Sequence, residues 1–445
     1  MRFTRKYPTA SALRLHPSEG LHDCSQMNTL ATCLRPMVGL LLALLAFVPG
    51  QAGETDRHWV GTWATAPRSE SNAPDQALLA GATLRQVVHV SLGGRKLRLR
   101  LTNLFGATPL TLHGVHLALA GPAGTIQPGT DRTLFFNGKE SVRIPPGVCL
   151  LSDPLDFELP PLADVTVTIH GKEVPAVQTM HHGSRTTSYL QPGNALSAPA
   201  LRDATKIAHW YFIDGLDVLA AAPAAAVVVL GDSFTDGRGS TTDQNNRWTD
   251  VLARRLQAQS GPARIGVLNQ GIGGNRLLRD GLGPSLLARF DRDALAQTGV
   301  RWVMVQAGIN DIGTRIEARK RGEAFATVAD IVGALGQLIT RAHAHGLRIF
   351  GSTLPPYAGA DFYWSADGEA DRRHINHWIR TSGRFDAVID FDAALRDPGN
   401  PSHLAAAFDC GDHLHPSLAG YVEMARAVDL NLFDLPAETG KVTGN

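Results

Sequence analysis

Net charge is almost absent from this 445-residue chain: 42 Lys and Arg stand against 41 Asp and Glu, leaving +1. Such a balance supplies no basic face for nucleic acid and no strong pull on a highly acidic substrate. Cysteine is scarce, with four in all. Cys24 and Cys33 precede an apolar run near the start, so only Cys149 and Cys410 remain beyond it. One bridge between them or two free buried thiols both fit. There is no internal repeat and no long low-complexity tract. The apolar run itself, MVGLLLALLAFVPGQAGE at 37–54, is too short to span a bilayer comfortably.

That run has the parts of an export signal. Arg35 precedes it, and Pro49, Gly50 and Ala52 close it with small residues suited to cleavage. We read 1–52 as a pre-sequence cut near Ala52, with Met27 as an alternative start that leaves a signal of ordinary length. The mature chain is then secreted or periplasmic, without stable membrane insertion; the alternative is an uncleaved anchor.

Apolar residues make up 44% and charged residues 19%, a globular composition. The length points to two domains. Over 58–200, short bursts such as TLRQVVHVSL, KLRLRLTNL and ADVTVTIHG alternate apolar with polar residues, and Gly, Pro, Asn and Asp punctuate them. This predicts an antiparallel β-sandwich, jelly-roll-like. From 222 to 436 the texture changes to strand-like apolar runs alternating with longer helical segments: AAVVVLG, RIGVLNQG, VRWVMVQAG, LRIFGST and FDAVIDF each lead into one. Strand–helix repetition of this kind predicts an α/β domain with a parallel sheet covered on both faces. ALSAPALRDAT (195–205) and the Ala/Pro stretch at 220–226 are the expected link.

In a parallel α/β sheet, function gathers at the carboxyl ends of the strands. Three of those ends carry unusual polar residues: Gly231-Asp232-Ser233, then Asn269 to Asn275 with Gly271, Gly273 and Gly274 between, then Gly308-Ile309-Asn310-Asp311. A fourth cluster, DCGDHLHP at 409–416, precedes the last helix. A serine hydrolase needs a hydroxyl on a sharp strand-to-helix turn, an imidazole to take its proton, and a carboxylate to fix the ring. It also needs donors aimed at the developing oxyanion. Ser233 supplies the hydroxyl and a helix-start N–H. Asp412 and His415, three apart on one loop, can supply carboxylate and base. Gly274 can offer an N–H where a side chain would crowd substrate, and Asn310 can point its amide at the same oxygen.

GDS, the glycine–asparagine loop, GxND and DxxH, in this order, resemble the SGNH, or GDSL, hydrolases. The resemblance covers about 225–432. It implies a flavodoxin-like three-layer α/β/α domain and ester hydrolysis through an acyl-enzyme, without metal or other cofactor. It implies Ser233 as nucleophile, His415 as base and Asp412 as its orienting carboxylate. The oxyanion donors would be Ser233 N–H, Gly274 N–H and the Asn310 side chain. WVGTWATAP (59–67) and MHHGSRTTSY (180–189) look like the accessory β-region of a secreted subgroup.

Other readings compete. Asp412 could cap a helix, and His413 could be the base, although neighbouring side chains diverge. Cys410, His413 and His415 with Asp409 and Asp412 have some metal-ligand character, but no second Cys/His group has matching spacing. Asp232, Asn275, His181 and Arg185 are candidate substrate contacts, the last two either rimming the site or belonging to a solvated loop. Trp63, Tyr357, Tyr363 and Trp364 could be sugar platforms or core. The expected function is a serine esterase acting on short-chain acyl or O-acetyl esters of carbohydrates, on small lipids or on aryl esters. The alternatives are an acyltransferase using the same residues and a carbohydrate-binding protein on a degenerate hydrolase scaffold.

Overall fold

The structure, a computed structural model, describes residues 57–72, 75–259 and 265–433. The expected pre-sequence, 1–52, and the last residues of the expected 222–436 segment lie outside the described residues. In the segment Ala225–Gly231, every residue of AAVVVLG is buried. A strand apolar on both faces must be covered on both, and it occupies the interior of a five-stranded parallel sheet. The order is Ile265–Gly271, Ala225–Gly231, Val300–Gln306, Arg348–Ser352, Ala387–Ile389, which by sequence is 2-1-3-4-5, the flavodoxin-like order. All its pairings are parallel.

The register decides where the polar strand ends emerge. Gly231 lies opposite Gly271 on one side and Gln306 on the other. Three strands therefore finish level, and Ser233, the 272–275 loop and Asn310 leave the sheet along one edge. The helices Trp248–Gln257 and Leu418–Arg426 pack together, and Val328–Ala344 packs with Leu286–Phe290 and Ala366–Thr381. The longest, Val328–Ala344, buries Ile331, Leu335, Leu338, Ile339 and Ala342, a stripe at the helical period. Thr327 and Asp330 begin it with a reciprocal capping box.

The N-terminal region is antiparallel throughout. One sheet contains Arg57–Ala64, Ile213–Ala221, Gly94–Thr102 and Leu155–Leu159, and another runs through Ser188–Pro192, Ala82–His89, Asp164–His170 and Gly114–Leu119. A small third sheet joins His209–Tyr211, Gln178–His182 and Arg68–Glu70. The antiparallel region continues to Ala221, past the boundary expected at 200. Thr205–Ile207, inside part of the expected link, pairs with Ser188–Pro192, and Ile213–Ala221 pairs with Arg57–Ala64. The buried side chains of both regions form one continuous core. Gly61 N–H donates to Thr298 O (2.9 Å) and Val267 N–H to Ser91 Oγ (3.0 Å), tying the β-region to the edge of the parallel sheet. Cys149 and Cys410 are free and exposed, which corrects the expectation of a bridge or of buried thiols. Among the described residues no helix is long and apolar enough to cross a membrane.

Candidate active site

The strand Ala225–Gly231 ends in a one-turn helix, Ser233–Asp236. Asp232 caps it, its Oδ1 accepting the Phe234 N–H at 3.1 Å, and Gly237 ends it with a left-handed φ of 100°. Ser233 is thus the first helical residue, and its N–H has no intrahelical acceptor. The turn packs against the neighbouring strand end so closely that a Cβ on Gly271 would overlap the Asp236 backbone. Only glycine fits there.

Ser233 Oγ lies 2.8 Å from His415 Nε2, and His415 Nδ1 lies 2.7 Å from Asp412 Oδ2. The other Asp412 oxygen accepts the N–H groups of Leu414 (3.1 Å) and His415 (2.8 Å), so the carboxylate fixes both the ring and the loop that carries it. Burial opposes the Asp412 charge, but the bond from His415 and the backbone donors outweigh it and hold the carboxyl well below its usual range. His413 is turned away: it has a left-handed φ of 60° and its exposed ring bonds Asp409 at 2.6 Å. Ligand atoms of Asp409, Cys410 and Asp412 lie within 4.8 Å of one another. The oxygens of both carboxylates are already engaged by His413, His415 and backbone N–H groups.

Ser233, Gly274, Asn310 and His415 all line one pocket of ≈ 530 Å³. Gly274 has a left-handed φ of 73°, and its N–H has no acceptor among the described residues. The Asn310 amide is oriented at both ends. Its Nδ2 donates to Asn275 O (3.0 Å), and its Oδ1 accepts from Tyr363 Oη (2.6 Å). One Nδ2 hydrogen remains to face the pocket. Ser233 N–H, Gly274 N–H and Asn310 Nδ2 thus belong to residues that line one pocket with a hydroxyl bonded to an imidazole, donors of the kind that can stabilise an oxyanion at a carbonyl attacked by Ser233.

His181 and Arg185 line the same pocket, brought there by the β-region. Asp232 and Asn275 do not; both are fully buried behind it. Asn275 donates Nδ2–H to Pro284 O (2.8 Å) and accepts from Arg289 Nε (3.0 Å). Asp232 serves the helix start, and burial, reinforced by the Asp311 charge, pushes its carboxyl up to about 8. Asp311 accepts the Leu277 N–H at 2.9 Å, and burial raises its carboxyl to about 6. Of the aromatic candidates, Trp63 and Tyr357 are core residues, whereas Tyr363 reaches the pocket.

Two residues support the site in roles that the sequence did not suggest. Fully buried Arg289 donates to Gly231 O (3.0 Å), Gln270 O (2.8 Å), Asn275 Oδ1 and Asp293 Oδ2, stapling the Ser233 turn to the glycine loop. Tyr363 is the other, through Asn310. Tyr363→Phe is expected to lower kcat for a p-nitrophenyl ester roughly tenfold, part of the 10²–10³ that one oxyanion donor supplies, with a smaller change in KM. Steady-state kinetics on both proteins would show it; an unchanged kcat would mean that Asn310 holds its orientation unaided.

Residues 229–422 match the model of the GDSL-like Lipase/Acylhydrolase family. No curated protein matches the chain. Among solved structures, a G-D-S-L family lipolytic protein from Desulfitobacterium hafniense is 22% identical, with TM-score 0.35, covering 46% of this chain and 97% of its own. An acetylxylan esterase from Geobacillus stearothermophilus is 23% identical, with TM-score 0.36, covering 46% and 91%. A GDSL-like lipase from Bacteroides thetaiotaomicron is 16% identical, with TM-score 0.34, covering 45% and 84%. Residues 229–422, which hold Ser233, Gly274, Asn310, Asp412 and His415 at one edge of a flavodoxin-like sheet, form a GDSL-like lipase/acylhydrolase domain, and this domain is a carboxylic ester hydrolase.

Proposed function

We propose that the protein is an exported serine esterase that works through an acyl-enzyme. The observation that carries this is the unbroken chain Ser233 Oγ–His415 Nε2 (2.8 Å) and His415 Nδ1–Asp412 (2.7 Å) opening onto a pocket. Ser233 Oγ attacks the ester carbonyl while His415 Nε2 takes its proton. The tetrahedral oxyanion accepts from Ser233 N–H, Gly274 N–H and Asn310 Nδ2. Its collapse breaks the bond to the alcohol, which leaves with the proton from His415. Water then gives a proton to His415 and attacks the acyl-enzyme, and the second tetrahedral intermediate collapses to the acid as Ser233 Oγ leaves and takes that proton back from His415. Asp412 keeps Nδ1 as the protonated nitrogen and stabilises the imidazolium in both halves.

Leu282 presses against Gly274, and Ile272 and Phe362 also line the pocket. A short acyl chain fits this small apolar patch, so short-chain acyl or O-acetyl esters of carbohydrates, small lipids or aryl alcohols are the substrate class. The export reading rests on residues 37–54. The test is to treat the purified chain with a fluorophosphonate and map the adduct by peptide mass spectrometry. A single adduct on Ser233, with matching loss of p-nitrophenyl butyrate turnover, supports the mechanism. Full turnover after Ser233 is modified would overturn it.

A further inference from the structure

The pocket has two chemically different kinds of lining. Its apolar lining includes Leu282, which packs against Gly274, and Phe362, 57% and 59% exposed although both are large and hydrophobic. Arg68 stands at that same end, donating to Leu282 O at 2.9 Å; Arg185 and Arg238 line the pocket as well, and among its described lining residues only Asp236 is a carboxylate. Charge accounting over these groups leaves an excess. Arg68 is paired with Glu70 at 2.7 Å. Asp236 receives both His181 Nε2 at 2.8 Å and Arg185 Nη2 at 3.3 Å. The other ring nitrogen of His181 faces a second acceptor, Ala66 O, at 3.0 Å. Both His181 bonds can exist together only if His181 and Asp236 hold two protons between them. Wherever the shared proton sits, the pair is neutral, and the charge on Arg185 is uncompensated. His182 and His209, 4.6 Å apart, are pushed by burial toward their neutral forms.

Arg238 adds a second free cation. It is exposed and makes no ion pair among the described residues. Its backbone sits at the end of the Ser233 helix, and the following Gly239 packs against Cys410 and Pro416 on the loop that carries His415. That is the side on which a leaving alcohol collects its proton. Arg185 is held toward the pocket from a left-handed φ of 56°, a costly conformation for a residue with a Cβ.

Resting on the esterase reading above, we propose that Arg185 and Arg238 form an anion subsite on the alcohol side of Ser233. The substrate is an ester whose acyl group is short and apolar and whose alcohol carries a carboxylate or phosphate. Arg185 and Arg238 determine specificity; neither takes part in proton transfer.

Two matched pairs of butyryl esters test this with the full purified chain: a methyl glucuronoside against the methyl glucoside, and glycerol 3-phosphate against glycerol. At low salt, kcat/KM for at least one anionic member should exceed that of its neutral partner about tenfold, the scale of one charge-assisted hydrogen bond. The pair that responds tells a carboxylate from a phosphate. The ratio should shrink in 0.5 M NaCl, an ionic strength of about half a molar at which exposed charges are well screened. Arg185→Gln and Arg238→Gln should each lower the ratio several-fold, and Arg238→Glu should bring it below one. Arg238 is exposed, so its variants test the subsite even where replacing Arg185 disturbs folding. Turnover of p-nitrophenyl butyrate with no anionic preference in either pair, or a preference unchanged in every variant, overturns the subsite and leaves the esterase reading intact. Loss of turnover on every ester, neutral ones included, overturns both.

Discussion

Ser233→Ala is expected to lower kcat/KM for p-nitrophenyl butyrate by about 10⁶-fold, with the fold and melting temperature nearly unchanged. The size follows from what the hydroxyl does: without it no acyl-enzyme forms, and His415 has no proton to take. The loss is not total, because the oxyanion donors remain and water can still attack, leaving roughly 10³-fold over the uncatalysed rate. His415→Ala should be nearly as severe, since the hydroxyl 2.8 Å away then keeps its proton. The double variant should be no worse than either single one, because the two groups act as one unit. Asp412→Asn should cost about 10⁴-fold, since the ring is still held but in the wrong tautomer. Stopped assays on the four proteins, each checked by circular dichroism, give the answer. Losses that multiply in the double variant would show two independent contributions and sink the assignment. So would a Ser233→Ala protein retaining one part in about a hundred of wild-type rate.

The residues that carry this prediction were legible in the sequence because their geometry is local or topological. Asp412 and His415 sit three apart on one loop, and the turn that lets them bond needs no distant partner. Ser233, Gly274 and Asn310 are far apart in the chain, but each follows a buried apolar run, and parallel strands ending level bring such positions to one edge. The supports were not legible for the opposite reason. Arg289 reaches a carbonyl 58 residues away, Tyr363 an amide 53 away and His181 a carboxylate 55 away. No periodicity or spacing encodes such contacts, and an arginine on a short helix reads as a solvated face. The β-region boundary failed similarly. ALSAPALRDAT has the composition of a linker, and the partner of Ile213–Ala221 is the strand Arg57–Ala64, at the other end of the region. Asp232 and Asn275 were read as substrate contacts from their place at strand ends; their side chains turn inward because the helix cap and Arg289 need acceptors there.

Asp232→Asn should stabilise the protein at neutral pH, and the gain should grow with pH. The carboxyl is buried without exposure, and only Oδ1 has a partner; Oδ2 has none. Burial raises it from an ordinary value of 3.8 to about 8, so the native state keeps a proton that the unfolded chain releases near 3.8. Between those limits the native state binds more protons than the unfolded state, so stability falls as pH rises. The contribution is fully present below pH 3.8 and is lost as pH climbs toward 8. Asparagine copies the protonated form: its Oδ1 still accepts the Phe234 N–H, and its amide donor is no worse placed than the acid O–H. The variant should match wild type at about pH 4 and gain about 1.4 kcal/mol per pH unit above it, reaching about 4 kcal/mol at pH 7. Denaturant titrations of both proteins between these limits would measure the difference directly. Other titrating groups are common to the two proteins and cancel in it. A difference that stays flat with pH would mean that Asp232 is ionised throughout, with its charge met by Arg289 across the staple. In that case the same substitution should destabilise the turn that presents Ser233, because it would remove one of the two carboxylates, Asp232 and Asp293, that answer the buried Arg289 guanidinium.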